Sequence, residues 1–216
     1  MPDSDKFEPL RSCTEPAFEE FYRIYAGSIS VREQKSKAWL CEMVSRSDCK
    51  FLLLKRNGRV IGFSILFLPV AEAFGLLEYM ATSEEYRSQG LGGEIFRRSM
   101  QMVPPRQGQP LPVLLEVDSD GEESADRALR ARRQQFYRRL GCLRLSGLHY
   151  ILPLPGGGPP PEMDLMVYAA GGLQHIARSE LERWLKVIYR DVYKCSPDDS
   201  RIHQMLLGVS DPVRLG

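Results

Sequence analysis

Apolar residues recur along the chain at two different spacings, and the switches between them mark out its elements. From Glu15 to Ala26 the residues Ala17, Phe18, Phe21, Tyr22 and Tyr25 fall on one helical face, and a second helix is expected over Lys35 to Val44. Phe51 to Lys55 and Val60 to Leu68 are β-prone runs separated by Arg56-Asn57-Gly58-Arg59, whose Asn-Gly pair predicts a tight hairpin. Leu76 to Thr82 reads as another strand. Leu91 to Met102, with Ile95, Phe96 and Met100 on one face, reads as a helix that stops before Pro104-Pro105.

Pro112 to Val117 is a short buried-type strand, Ala125 to Leu140 a basic helix, and Leu143 to Leu152 a strand that runs into a stretch of prolines and glycines from Pro153 to Pro161. That composition cannot pack as regular structure and predicts a flexible loop, after which Met163 to Tyr168 returns as a strand. Beyond Gly171-Gly172, the residues Leu173, Ile176, Ala177, Leu181, Trp184, Leu185, Ile188 and Val192 define one apolar helix face. Ser196-Pro197-Asp198-Asp199 then opens a last short helix carrying Ile202, Met205 and Leu206. This order implies an α/β (mixed α+β) domain over residues 1–170, a mixed sheet with helices on its faces, followed by a helical extension over residues 171–216.

Composition narrows the partners. The chain has 216 residues, 43% of them hydrophobic, enough for one sizeable core. Its 29 basic and 28 acidic residues leave a formal charge of +1, which gives no electrostatic reason to expect nucleic acid or an anionic membrane as partner. The acidic start Met1-Pro2-Asp3-Ser4-Asp5 lacks the features of a signal peptide, and no apolar run reaches the roughly 18 residues of a membrane span, so a cytoplasmic location is expected. Five widely spaced cysteines, Cys13, Cys41, Cys49, Cys142 and Cys195, include no C-x-x-C and read as reduced thiols without a metal.

The most informative stretch runs from Leu76 to Phe96. A strand enters the glycine-rich turn Arg87-Ser88-Gln89-Gly90-Leu91-Gly92-Gly93, which opens a helix, so several backbone N–H groups point outward at the positive end of the helix dipole. That is a diphosphate site in the making, and Gly90 and Gly92 allow the close backbone approach it needs. A dinucleotide fingerprint needs glycine where Ile95 stands. A P-loop needs Gly-Lys-Ser/Thr where Gly92-Gly93-Glu94 stands, so neither spelling fits.

Arg87-Ser88-Gln89-Gly90-Leu91-Gly92 resembles the Arg/Gln-x-x-Gly-x-Gly/Ala signature of the GNAT superfamily of acyl-CoA-dependent N-acetyltransferases, and Phe136-Tyr137-Arg138-Arg139-Leu140-Gly141-Cys142 resembles a second segment of that family. The resemblance extends over the order of elements from about residue 7 to residue 169. It implies the GNAT fold: a central, mostly antiparallel, splayed sheet flanked by helices. It also implies acetyl-CoA as acyl donor, with main-chain groups of Met80, Ala81 and Thr82 pairing with pantetheine and the amides of Arg87, Ser88, Gln89, Gly90, Leu91, Gly92 and Gly93 holding the diphosphate. The family usually has an apolar residue where Thr82 stands and often proline where Glu84 stands, which touches side-chain contacts rather than backbone ones.

Acyl transfer from a thioester to an amine needs a neutral amine, a stabilised oxyanion and a proton for the departing thiolate. Tyr137 matches the tyrosine that commonly serves as general acid in the superfamily. Glu116 interrupts the buried-type strand Val113-Leu114-Leu115-Glu116-Val117-Asp118, where an ionisable group is costly without a role or a partner. Leu115-Glu116-Val117 also resembles a strand of ribosomal-protein N-terminal acetyltransferases, although Ser119 to Ala125 looks like an insertion relative to them and an asparagine usual there is absent. Glu78 is the second base candidate, because other GNAT branches place theirs on the preceding strand. The acceptor side is expected at the two N-terminal helices and the Pro153 to Met163 loop, where no residue pattern names the amine. The function expected is transfer of an acetyl group to a primary amine of a small molecule or peptide; the alternative is a CoA-binding interaction module. The apolar stripe of the extension is expected to dock on its own core or across a homodimer.

Overall fold

In the computed structural model, which describes residues 5–121, 126–154 and 160–216, the chain divides into two units. One comprises residues 1–70 and 75–104, the other residues 71–74 and 105–216.

The first unit is built on four antiparallel strands, β1 (Lys6–Leu10), β2 (Cys49–Arg56), β3 (Arg59–Phe67) and β4 (Gly75–Thr82), paired in that order. Asn57 and Gly58 close the β2–β3 hairpin with φ of 50° and 76°, the left-handed pair that a two-residue turn requires. Helix α1 (Pro16–Ser28) starts with proline at its first turn, where the missing N–H costs nothing. It lays Phe18, Phe21 and Tyr25 on the sheet, with the Phe21 ring edge-on to Phe51 and Phe63 at 5.5 and 4.8 Å. Each such ring contributes roughly 1.5–3 kcal/mol through burial. Helix α2 (Lys37–Val44) is capped by Ser36, whose hydroxyl accepts from the Trp39 N–H at 3.1 Å. The expectation placed its start two residues earlier, at Lys35; that residue instead precedes the cap.

Helix α3 (Leu91–Gln101) buries Leu91, Ile95, Phe96 and Ser99, with Leu91 and Ile95 against Leu54 and Ile61. Its close approach to β3 depends on Gly62. A Cβ there would stand 2.5 Å from Ile95 Cδ1 and 3.0 Å from the Ala81 carbonyl oxygen. The pairing of β3 with β4 slips once: Leu66 faces Leu77 while Ile65 faces Tyr79, which leaves Glu78 as the extra residue of a β-bulge.

In the second unit β8 (Glu162–Tyr168) is the central strand, flanked antiparallel by β5 (Val113–Asp118) and by the short β6 (Cys142–Arg144) and β7 (Tyr150–Ile151). The single strand expected over Leu143 to Leu152 is thus broken in two. Gly147, at φ 76°, turns the chain, and residues 144–146 hydrogen-bond instead to the chain end at residues 214–216. Helix α4 (Arg127–Arg139) is strongly basic and buries one polar side chain, Gln134, whose amide donates to the Asp118 carbonyl and to the Asp164 carboxylate, both at 2.9 Å.

The tail begins with β9 (His175–Ile176), which pairs with β10 (Val213–Arg214), so the helix expected from Leu173 begins instead at Arg178. Helix α5 (Arg178–Val187) buries Leu181, Trp184 and Leu185, and the Trp184 ring stacks on Phe74 at 5.3 Å. It then widens into a π turn over Ile188–Val192, closed by the Tyr193 N–H on the Ile188 carbonyl. Helix α6 (Ser200–Leu206) is capped by Asp199 and buries Ile202, Met205 and Leu206. The apolar stripe therefore docks on its own chain, with the Ile151 N–H donating to Met205 Sδ at 3.1 Å. The expected flexible tip at Pro155–Pro159 and the far part of the expected insertion, residues 122–125, lie outside the described residues. Among the described residues no helix is long and apolar enough to cross a membrane.

Candidate active site

The strand, loop and helix from β4 to α3 lie within the first unit. Met80, Ala81 and Thr82 pair with Ser64, Phe63 and Gly62 of β3 and are half-buried. After a single 3₁₀ turn at Glu84–Tyr86, Arg87, Ser88, Gln89 and Gly90 stand exposed. Ser88 and Gly90 both take positive φ, 62° and 79°. For Ser88 this conformation is strained, which marks the loop as held by its surroundings. Gly90 is the N-cap of α3, and its carbonyl accepts from the Gly93 and Glu94 N–H groups. Among the described residues, the N–H groups from Ser88 to Gly92 make no such backbone bond. Donors of this kind at a helix start, with the dipole behind them, suit an anionic diphosphate. Arg87 lies at 4.0 Å from Glu84, and Gln89 accepts from the Arg56 guanidinium at 3.3 Å. Leu91 and Gly93 are buried and Gly92 is half-buried.

Two residues up β4, the bulge turns the Glu78 carboxylate onto the Lys35 ammonium, and the two side chains are 1% and 5% exposed. Lys35 also lies over the rings of Trp39 and Tyr79, at 5.0 and 5.3 Å from their centres. The Lys35 N–H donates to the Tyr25 hydroxyl and the Tyr79 hydroxyl donates to the Glu33 carbonyl, each at 2.7 Å. Burial pushes the Tyr25 phenol up to about 12. Sequence reasoning missed Lys35, because nothing local distinguishes it from the exposed lysines around it.

The second unit carries the other two candidates. Glu116 on β5 is half-buried; one carboxylate oxygen accepts from the Tyr150 hydroxyl of β7 and the other from the Tyr193 hydroxyl of the tail. Burial, and then the Glu116 charge, hold the Tyr150 phenol well above its ordinary value. Neither tyrosine was singled out in the sequence. Tyr137 lies on α4 with its ring 5.1 Å from that of Phe136, and burial pushes its phenol up to about 12. A phenol held there stays protonated at neutral pH, which a proton donor requires. Beside β7 a cleft of about 560 Å3 is lined by Arg144, His149, Tyr150, Glu162 and Asp164 among others, at the hairpin expected to meet the acceptor. Among the described residues no group of His, Cys, Asp or Glu is arranged to hold a metal.

Comparison with known proteins adds to this geometry. Residues 14–142 match the family model described as the acetyltransferase (GNAT) family. Among solved structures, a GNAT-family protein from Bacteroides thetaiotaomicron superposes with a TM-score of 0.70 at 22% identity, covering 87% of this chain and 98% of its own. A ribosomal-protein alanine N-acetyltransferase from Escherichia coli gives 0.55 at 18% identity, over 79% and 99% of the two chains. A GNAT-family acetyltransferase from Elizabethkingia anophelis, with acetyl-CoA bound, gives 0.53 at 14%, over 77% and 99%. Among curated proteins none matches the sequence significantly.

Proposed function

The chain belongs to the acetyltransferase (GNAT) family, and we propose that it moves an acetyl group from acetyl-CoA to a primary amine of a small molecule or peptide. The observation that carries this reading is the loop from Arg87 to Gly93, where the N–H groups of Ser88 to Gly92 make no backbone bond among the described residues and the left-handed Gly90 suits the donor's diphosphate, while those of Arg87 and Gly93 bond to the Glu84 and Gly90 carbonyls. In this reading main-chain groups of Met80, Ala81 and Thr82 pair with pantetheine as a neighbouring strand would.

In the step proposed, the amine nitrogen attacks the thioester carbonyl, a C–N bond forms and the C–S bond breaks. Glu116 takes one proton from the ammonium and passes it to solvent, Tyr137 gives one to the CoA thiolate, and the second proton that the nitrogen loses as the amide forms restores the Tyr137 hydroxyl. Glu116 is preferred to Glu78 because its tyrosine partners are neutral, whereas the charge of Glu78 is already matched by Lys35. An alkylamine of pKa near 10 is almost wholly protonated at neutral pH, so the base is needed there. The test is to incubate the protein with acetyl-CoA and a panel of amines and peptides while following free thiol. Thiol release dependent on an acceptor supports the reading. Tight acetyl-CoA binding with no turnover on any acceptor overturns it in favour of a CoA-binding module.

A further inference from the structure

We infer that the C-terminal tail is part of the catalytic apparatus: Tyr193, with Tyr150, is a positioning residue that fixes the Glu116 carboxylate and keeps it ionised. The inference rests on the reading of Glu116 as the base.

Three observations in the second unit carry it. The two oxygens of Glu116 are held separately, one by a phenol from β7 and the other by a phenol from the tail, so the carboxylate is fixed in rotation as well as in place. The tail also secures the other phenol. The Tyr189 hydroxyl donates to the carbonyl of Ile151, the residue after Tyr150, and Met205 accepts from the Ile151 N–H. Finally, Tyr189 lies within the π turn and Tyr193 directly follows it, their rings 6.5 Å apart, so one local irregularity delivers both hydroxyls to β5 and β7. Single π turns inside helices frequently accompany functional sites.

Hydrogen bonds donated to a carboxylate favour its charged form. Among the described residues, the titratable groups that engage Glu116 include Tyr150 of β7 and Tyr189 and Tyr193 of the tail, with Cys195 beside Tyr150 and Tyr189. β8 places Leu165 opposite, and from α4 Arg133 and Gln134 engage Asp118, two residues further on. The two phenols that donate to its oxygens thus act directly on its ionisation, and removing either should register there.

The test is the pH profile of kcat/KM, with acetyl-CoA and an amine found by thiol release, for the full chain and for Tyr193→Phe, Tyr150→Phe, Tyr189→Phe and Glu116→Gln. Loss of one charged hydrogen bond should move the acidic limb up by about one pH unit in Tyr193→Phe and in Tyr150→Phe, with acetyl-CoA affinity unchanged. Tyr189→Phe releases Ile151 without removing a donor from Glu116, so it should lower the melting temperature and move the limb less than either of the other two tyrosine variants. If Glu116→Gln abolishes the limb but neither Tyr193→Phe nor Tyr150→Phe moves it, the positioning role is overturned and the base stands. If Glu116→Gln leaves rate and limb intact, the base assignment falls and this inference falls with it.

Discussion

The Lys35 ammonium sits on the Glu78 carboxylate, and almost no water reaches either side chain. Such a pair is worth little more than well-packed apolar residues of similar volume, yet removing one partner strands a charge at a cost of about 3–5 kcal/mol. Lys35→Met should therefore lower the melting temperature sharply, and Glu78→Gln should do so less, because it leaves a polar partner for the ammonium. The double variant Lys35→Met/Glu78→Leu should recover most of the loss. A double variant as unstable as Lys35→Met alone would show that the pair contributes through something other than matched charge.

The left-handed Gly90 gives the loop a sharper prediction. No atom lies within 4 Å of where its Cβ would stand, so Gly90→Val suffers only the strain of positive φ, about 1–2 kcal/mol. The folded variant should bind acetyl-CoA far more weakly by calorimetry, because the loop relaxes and its N–H groups turn. Undiminished affinity would remove the loop from the donor site.

Tyr137→Phe keeps the ring and deletes only the hydroxyl. It should lower kcat by roughly 10²–10⁴-fold while sparing acetyl-CoA affinity. Since burial holds the phenol up to about 12, any fall of kcat between pH 8 and about 11 must come from another group, and Tyr137→Phe should keep that limb at reduced height. An undiminished kcat in this variant would refute the proton-donor role.

Alkaline stability follows from the same kind of burial. The thiols of Cys49 and Cys142 and the phenols of Tyr25 and Tyr137 are all pushed up to about 12 by burial, against unfolded values of about 8.5 and 10. Above those unfolded values the unfolded chain sheds protons that the native one keeps, so stability is intact below about pH 8.5 and declines as pH rises towards 12. The melting temperature should be level from pH 7 to about 8 and fall beyond about 9. Cys49→Ala/Cys142→Ala should weaken that fall, leaving Cys41, pushed up to about 11 by burial, and above about pH 10 the phenols. A melting temperature still level at pH 11 would contradict the upward shift of these groups.

Local signals carried much of the fold. Asn57-Gly58 predicted a two-residue hairpin, and both residues have the positive φ the turn requires. The spacing from Leu91 to Met100 predicted α3 and its buried face. What stayed illegible depends on pairing between distant segments. The β4 bulge that aims Glu78 appears only in its register with β3, and Lys35 becomes buried only when α1 and β4 close over it. The break between β6 and β7 reflects hydrogen bonds to residues 214–216 at the far end of the chain. Tyr193 meets Glu116 across 77 positions, and no periodicity reports a contact of that separation.

The π turn at Ile188–Val192 holds one residue more than an α turn of nearly the same arc. Arg190 is exposed and tolerates replacement, and deleting it would let the turn relax to ordinary α geometry. Four residues at α spacing cover nearly the arc that five cover at π spacing, so the Tyr193 hydroxyl would stay close to β5. The buried Ile188, Tyr189 and Val192 hold the spelling of the turn, and Arg190 is where the chain can vary or lose a residue.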